Sequence, residues 1–261
     1  MSPILAHTVT KLAGARGHVV ICGSHGGTYA GEAAAAAGVA AILLNDAGIG
    51  KNRAGVAGLA ILEQHGIAAA AISHASCRIG NADSAAATGV LSTVNAPARA
   101  LGVREGDAAL TAAETLAAAA PPSATITMGE EHRTERMIAG RRLVLIDSVS
   151  LVRPEDEGAL VISGSHGGLV GDDPASAGRA DAFLFAYNDA GLGAEEAGAA
   201  RLPVLEGRGI AAVTVSHESA EIGLAHETFH GLISRANPHA LALGLLPGTR
   251  LSDGLAALPA P

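Results

Sequence analysis

Short apolar runs alternate along the chain with segments of helical periodicity, and this order occurs twice. Continuous apolar runs of this length are typical of strands that helices cover on both faces of a parallel sheet. In the first half they predict strands at Pro3–Val9, His18–Cys22, Val39–Leu44 and Ile67–Ser73. In the second half they predict strands at Leu143–Val149, Ala159–Ser163, Ala182–Ala186 and Ile210–Ser216. A further strand is predicted at Thr125–Met128.

The segments between these runs predict helices, several of them rich in alanine. In the first half we expect helices at Gly31–Gly38, at Arg53–His65, over Asp83–Leu101 with a bend near Pro97, and at Asp107–Ala120. In the second half we expect them at Glu195–Arg208, Glu227–Leu243 and Leu251–Leu258. Alternation of strands and helices predicts an α/β fold with right-handed crossovers.

Polar motifs recur in the same order in both halves, 141 to 143 residues apart. The segment Gly23–Gly27 returns as Gly164–Gly168, Asn45–Gly48 returns as Asn188–Gly191, and Ser73-His74 returns as Ser216-His217. This repetition predicts internally duplicated, Rossmann-like βα units with parallel sheets, in halves related by a pseudo-twofold axis. The halves would form two facing sheets or one continuous sheet. The predicted division is a first α/β repeat at 1–120, a bridging segment at 121–141 and a second α/β repeat at 142–261.

Composition narrows the classes of partner. The chain has no Trp, two Tyr and three Phe among 261 residues, which disfavours stacking on bases or flat cofactor rings. The net charge of −8 lies in the second half, where residues 142–258 hold seven Lys or Arg and fifteen Asp or Glu. Such an acidic balance opposes nucleic-acid binding.

The longest apolar run, Ala33 to Leu44, is too short to span a bilayer, and the N-terminus lacks the pattern of a signal peptide. Cys22 and Cys77 have no counterparts in the second half, which argues against a structural disulfide or a cysteine-built zinc site. We therefore expect a cytoplasmic protein with no membrane or nucleic-acid partner, and a homo-oligomer is compatible with this interpretation.

The repeated polar residues follow predicted strands, and ligands of open parallel sheets bind beyond the carboxyl ends of strands. We therefore expect them to converge on one site. The candidate catalytic residues are Ser24, His25, Asp46, His74, His166, Asp189 and His217. The candidate substrate-binding residues are Gly26, Gly27, Asn45, Lys51, Arg78, Gly167, Gly168 and Asn188.

Two chemistries fit the candidate catalytic residues. His25, Asp46 and His74 could bind a divalent metal ion as a set of two histidines and one carboxylate. Alternatively, Ser24 or Ser73, a histidine and Asp46 could form a nucleophile, base and orienter. In either case, free amides of the Gly-Gly pairs would stabilise an oxyanion.

Each group also has a structural interpretation. The Gly-Gly pairs suit a tight turn, and an Asp that precedes a helix suits a helix cap. Lys51 and Arg78 suit an anionic substrate, but their charges would equally suit ion pairs across the interface between the halves.

The order of an apolar strand, His-Gly, a second apolar strand and Asp-Ala is similar to the His-Gly and Asp-Ala-Cys blocks of caspase-like cysteine peptidases. Gly48 and Gly191 stand where the nucleophilic cysteine of that family would be. The resemblance covers a few residues, and peptidase activity is not carried over to this chain.

The combined pattern indicates an enzyme acting on a small polar, anionic molecule. The first expectation is hydrolysis of an amide, a cyclic amide or an ester. A racemase, isomerase or lyase at the cleft between the halves is a second hypothesis. A non-catalytic protein that clamps a metabolite between its halves is a third.

Overall fold

The computed structural model describes residues 2–122 and 126–260, which form two sheets with helices packed on their faces. The strands are β1 Ile4–Ala6, β2 Val19–His25, β3 Ala41–Asn45, β4 Ala68–Ile72, β5 Leu91–Val94, β6 Arg133–Ile138, β7 Arg141–Ile146, β8 Leu160–His166, β9 Leu184–Asn188, β10 Ala211–Val215 and β11 Ile233–Ala236. The α-helices are α1 Thr28–Ala37, α2 Gly58–Gln64, α3 Ala82–Thr88, α4 Ala96–Ala100, α5 Ala109–Thr115, α6 Arg201–Glu206, α7 Ala225–His230, α8 Pro238–Ala242 and α9 Leu251–Ala256. Short 3-10 helices lie at Val9–Lys11, Lys51–Val56, Leu116–Ala118, Val149–Leu151, Pro154–Asp156, Pro174–Ala177 and Ala194–Ala199.

The first sheet has the strand order β1-β2-β3-β4-β5, and the second has the order β11-β10-β9-β8-β7-β6. Strands β1 to β4 are mutually parallel, as are β7 to β10, whereas β5, β6 and β11 run antiparallel to their neighbours. The α/β class is therefore confirmed, and the expectation of wholly parallel sheets is wrong. The antiparallel strands are all edge strands, which pair on one side only and can do so in either direction.

Two of the predicted long helices are wrong because each is interrupted by an edge strand. Asp83–Leu101 divides into α3, β5 and α4, and Glu227–Leu243 divides into α7, β11 and α8. Asn95 and Asn237 each accept a hydrogen bond from the backbone three residues ahead, which starts a new helix after the strand. Because each of these stretches as a whole favours a helix, the four-residue strands within them were not predicted.

The bridging segment also differs from its prediction. Thr125, the first residue of the expected strand at Thr125–Met128, lies outside the described residues, and Ile126–Met128 is not a strand. Instead, the charged stretch Arg133–Ile138 forms β6, which pairs with β7 along its whole length. The second sheet therefore has one more strand than the first.

Both faces of each sheet are buried at its central strands, as the continuous apolar runs predict. On one face of the first sheet, Val20 and Ile42 pack with residues of α1 and α2. On the other face, Ile21 and Leu43 pack with residues of α3, α4 and α5. Alternate side chains of one strand thus enter two different cores, and only apolar residues satisfy both. The second sheet has two cores arranged in the same way.

Helices α1 and α2 approach each other through glycines. A Cβ atom on Gly31 would lie 2.6 Å from both Cα and the carbonyl oxygen of Gly58. Because these are backbone atoms, they cannot rotate away. In the second half, residues 169–183 contain the 3-10 helix Pro174–Ala177 in place of a helix like α1. The two halves therefore differ at this point of the fold.

We expect Gly31→Ala to lower the free energy of unfolding by about 1–3 kcal/mol, the usual cost of overpacking. This loss would outweigh the gain of about 1 kcal/mol in helix propensity. Gly207 is the matched control, since its backbone is helical and the nearest atom to a Cβ there would be the Val204 carbonyl oxygen of the same turn, at an ordinary contact distance of 3.5 Å. Gly207→Ala should raise stability by about 0.4–1 kcal/mol. Urea denaturation measures both; an unchanged Gly31→Ala midpoint would contradict the close approach.

Candidate active site

The two His-Gly-Gly turns occupy matching positions at the carboxyl ends of β2 and β8. His25 pairs with Asn45 of β3, and His166 pairs with Asn188 of β9, each after a shift in strand register. The shift releases the last residues of the strand from regular pairing, so that the histidine ends the strand at the edge of the sheet. The predicted placement of these motifs at strand ends agrees with this geometry.

The amides of the glycine pairs are engaged within the protein. Gly26 N–H donates to the Asn45 carbonyl at 2.8 Å, and Gly27 N–H donates to His25 Nδ1 at 3.1 Å. Gly167 and Gly168 make the same two bonds to Asn188 and His166. A Cβ on Gly27 would lie 2.7 Å from His25 Nδ1, so the position requires glycine. The geometry matches the tight-turn interpretation, and the free oxyanion amides expected from the sequence are not available.

Both histidines line one cavity of about 800 Å³, which both halves of the chain and the bridging segment enclose. Ser24 and Ser165 line it next to them. Each serine hydroxyl accepts a backbone N–H from the 3-10 turn that follows the preceding strand, Val9 in one half and Val149 in the other. The serines therefore fix the walls of the cavity.

His25 and His166 are held neutral with a defined tautomer. Burial lowers the pKa of His25 to about 4. Burial lowers the pKa of His166 as well, and the nearby charge of Arg201 lowers it further. Because Nδ1 of each ring accepts a glycine N–H, the single proton of the neutral ring must lie on Nε2. Each imidazole is thus a hydrogen-bond donor through Nε2 and cannot accept a proton there.

Glu131 and Tyr29 are two titratable residues that line the same cavity. Burial raises the pKa of Glu131, although the Ser148 and Tyr29 hydroxyls beside it oppose part of this shift. Burial also raises the pKa of Tyr29, and the Glu131 carboxylate adds to the effect. A carboxyl group whose pKa moves towards neutrality is suited to proton transfer.

The other two histidines form a separate pair of Asp–His contacts. His74 Nδ1 lies 2.9 Å from Asp46 Oδ1, and His217 Nδ1 lies 2.9 Å from Asp189 Oδ1. The two rings face each other with centroids 6.5 Å apart. Neither His74 nor His217 lines the cavity, although both lie in the described part of the chain. The four candidate histidines are thus divided between two places.

Each Asp–His pair contacts the glycine loop of the opposite half. A Cβ on Gly191 would lie 2.7 Å from His74 Cδ2, and a Cβ on Gly48 would lie 2.6 Å from His217 Cδ2. The His74 carbonyl accepts the N–H of Ala194, and the His217 carbonyl accepts the N–H of Lys51, both at 2.8 Å. The Asn-Asp-Ala-Gly loops are therefore joined across the two halves.

The same loops have an unusual backbone. Ala47, Ile49, Ala190 and Leu192 all have φ between 48° and 62°, a region that non-glycine residues rarely adopt. Buried side chains hold this geometry: Asn45 Oδ1 accepts Ala47 N–H, and Asp46 Oδ1 accepts Gly48 N–H. Asn188 and Asp189 do the same in the second half. The Asn and Asp side chains are thus occupied in supporting the turn.

Lys51 and Arg78 form ion pairs with the second half. Lys51 Nζ lies 2.6 Å from Glu227 Oε2, and Arg78 Nη2 lies 2.7 Å from Asp172 Oδ1. This is the arrangement expected if these charges pair across the interface. Neither residue lines the cavity. Their role in binding an anionic substrate stays a prediction.

The side chains do not assemble either of the two expected chemistries. Over residues 2–122 and 126–260, no three His, Cys, Asp or Glu side chains are placed to hold a metal ion, and Asp46 contacts His74 without His25. Among the described side chains, no serine hydroxyl is hydrogen-bonded to a histidine ring. Burial raises the pKa of Cys22 and of Cys77 to about 11, which leaves both thiols protonated.

Tyr29, Glu131 and Arg201 are among the cavity residues that were missed from the sequence. Glu131 lies in the bridging segment, where nothing in the sequence marks it. Arg201 had a signal, because the repeat spacing aligns it with Gly58 and a glycine replaced by arginine is a large change. Tyr29 follows the first His-Gly-Gly motif. The corresponding position after the second motif is occupied by Leu169 or Val170.

Comparison of the chain with protein-family models, with curated proteins and with solved structures found no match. Within the described ranges, every helix is too short or too polar to cross a bilayer.

The His25 ring is expected to remain neutral, with its proton on Nε2, down to about pH 4. Nitrogen-15 NMR of labelled histidine in the folded protein measures both the tautomer and the titration, and the urea-unfolded chain is the control. Unfolded histidine takes up its proton near pH 6.5, so His25 contributes to stability fully above that pH. The contribution is lost as the pH falls towards 4. Titration of the folded ring near 6.5 would contradict this assignment.

The contribution of His217 to stability depends on pH in the opposite direction to that of His25. The hydrogen bond to Asp189 raises the pKa of His217, so its contribution to stability is full below pH 6.5 and is lost as the pH rises through the folded pKa. Asp189→Asn keeps an oxygen acceptor but removes the charge. We expect it to cost about 1–3 kcal/mol at pH 6 and less at pH 8.

Asp181→Asn is the control for this experiment, because Asp181 is an exposed carboxylate paired with Arg208. It should cost less than about 1 kcal/mol at either pH. Urea denaturation at the two pH values compares the variants, and an equal loss for Asp189→Asn at both would refute the charged pair.

Proposed function

We propose that the cavity is the active site of an enzyme that hydrolyses an amide, cyclic amide or ester bond in a small anionic molecule. The observation that carries this proposal is the pair His25 and His166. Two neutral imidazoles reach one cavity from matching strand ends, and each has its Nε2–H as the free polar group. Such donors suit a carbonyl oxygen on which negative charge develops.

Neutrality of the two rings is what makes them suited to this role. Each Nε2–H donates a hydrogen bond without a charge that would bind the product anion strongly. The ring position is fixed in advance by the glycine N–H on Nδ1, so little reorganisation accompanies the reaction. Preorganised donors in a cavity shielded from water are the largest single source of rate enhancement in acyl transfer.

Glu131 is the group proposed to move protons. Its raised pKa and its place on the cavity wall suit the activation of a water molecule and the later protonation of the leaving group. Water is preferred to Ser24 as the nucleophile, because the Ser24 hydroxyl has no hydrogen-bonded base and supports Val9. The His74–Asp46 and His217–Asp189 pairs are assigned to holding the halves together.

A racemase, isomerase or lyase is the second candidate. A neutral donor on a carbonyl oxygen and one carboxylate base also suit proton removal from the neighbouring carbon. The placement of Tyr29 beside Glu131 favours it, since a second acid next to the base can return the proton.

The matching sheet orders and the matching hydrogen bonds of the repeated motifs support an origin by internal duplication with pseudo-twofold symmetry. We propose that the active site formed between the two copies and that the protein acts in the cytoplasm.

Reaction of the protein with a panel of carboxylate-bearing amides, lactams and esters in deuterated buffer tests the proposal. Proton NMR follows both product formation and loss of the signal of the hydrogen next to the carbonyl. We expect hydrolysis to fall about 100- to 1,000-fold in His25→Ala and in His166→Ala. A loss of about 100-fold or more is expected in Glu131→Gln.

His65→Ala is the control, because His65 is an exposed histidine at the end of α2, away from the cavity. Deuterium exchange without hydrolysis would favour the isomerase class. Binding of panel members without turnover would identify a metabolite-binding protein. Wild-type rates in both cavity-histidine variants would end the proposal.

A further inference from the structure

Arg201 is a buried cation without a carboxylate partner. Its side chain is 1% exposed, and within the described chain no acidic group forms an ion pair with it. One guanidinium nitrogen, Nη1, donates to the Ser176 carbonyl, the group lies over the Tyr187 ring at 5.1 Å from its centroid, and Nε has no hydrogen-bond partner. A buried charge in this condition is costly, since carbonyl and ring contacts only partly replace water.

The residue lies on the wall of the cavity, on the same side as His166. Arg201 N–H donates to the Gly167 carbonyl at 2.9 Å, directly after His166 in the chain. Arg179 also lines the cavity and is near enough for its charge to act on Arg201. Two guanidinium groups thus contribute to this part of the wall, and their complement would be a negative group in the cavity.

The first half has nothing equivalent. Gly58 N–H makes the matching bond to the Gly26 carbonyl, but Gly58 has no side chain and α1 packs directly against it. The second half lacks a helix like α1, and the space holds the arginine side chain. The two histidine walls thus have similar donors and different charges.

The surroundings disfavour a group with more than one negative charge. Three basic residues and six acidic residues line the cavity. The basic ones are Lys11, Arg179 and Arg201, and the acidic ones are Glu32, Glu130, Glu131, Asp147, Asp173 and Glu221. A phosphate dianion would meet this acidic excess, whereas one planar carboxylate matches the guanidinium at the lowest cost in repulsion.

We propose that Arg201 makes the wall beside His166 the binding site for a carboxylate group of the substrate and leaves His25 to polarise the carbonyl that reacts. The inference rests on the proposed function and deepens it by naming the substrate class and its direction in the cavity. In this arrangement Arg201 contributes binding and orientation, and the two imidazoles have different tasks.

The test uses butyrate and butyramide, a carboxylate and an uncharged amide of the same shape, as probes of the full chain. Their dissociation constants are measured by NMR titration at pH 7. We expect the wild type to bind butyrate at least about tenfold more tightly than butyramide, a difference of about 1.4 kcal/mol. Arg201→Met should bind the two equally, and Arg201→Lys should keep part of the preference.

Arg208→Met is the matched control. Arg208 donates to the carbonyls of Gly178 and Ala180, so it holds the same loop as Arg201, but it does not line the cavity. If Arg201 had a purely structural role, Arg201→Met and Arg208→Met would lose affinity for butyrate equally. That result would overturn the inference. Retention of the full preference in Arg201→Met would also overturn it.

The signal of the Arg201 Nε–H provides a test on the unmodified protein if Arg201→Met fails to fold. We expect it to shift on addition of butyrate and to stay in place with butyramide, and Arg201→Lys assigns it. A wild type without a preference for butyrate, or one that binds inorganic phosphate more tightly than butyrate, contradicts the carboxylate assignment. None of these measurements needs turnover, so failure of the hydrolysis test with a butyrate preference intact would count against the proposed function alone.

Discussion

The crossed contact between the two Asn-Asp-Ala-Gly loops sets how the two halves of the protein meet. Each loop brings its glycines against the histidine of the opposite half, and each histidine carbonyl accepts an N–H from the opposite loop. The approach is so close that a single Cβ at Gly48 or Gly191 would overlap a ring. Asp46 and Asp189 fix the rings that form the other side of this contact.

The cavity follows from that contact. Once the loops are joined, Ala47 and Ala190 pack with Ala54, Ile79 and Ile222 in a small apolar cluster, and Ala54 and Ile222 also form part of the cavity wall. The loop around Gly80 then reaches the second half, where its carbonyl accepts the N–H of Gly171. His25 and His166 are brought to one enclosed space because the halves meet in this way. Burial in that space is also what keeps both rings neutral.

The unequal surroundings of the two cavity histidines separate their proposed tasks. Identical turns hold the rings, but Arg201 stands beside one and Gly58 occupies the matching place beside the other. Arg201 is almost fully buried and forms no ion pair with a described carboxylate, so its charge is costly to bury. This cost arises only on the wall beside His166. A substrate with one charged end and one reacting carbonyl would match this polarity, whereas a symmetric site would not distinguish its ends.

The pattern of apolar and polar residues was enough to predict the α/β class, the positions of the main strands and the placement of the repeated polar residues at strand ends. Apolar runs and glycines act locally, through burial and backbone geometry, and are therefore visible in the order of residues. The tertiary structure alone shows which polar residues lie together. It places His25, His166, Glu131 and Arg201 on one cavity and His74 beside Asp46, because packing between distant segments sets both distance and burial. The edge strands β5 and β11 were also decided there, since pairing with a neighbouring strand outweighs the helix propensity of four residues.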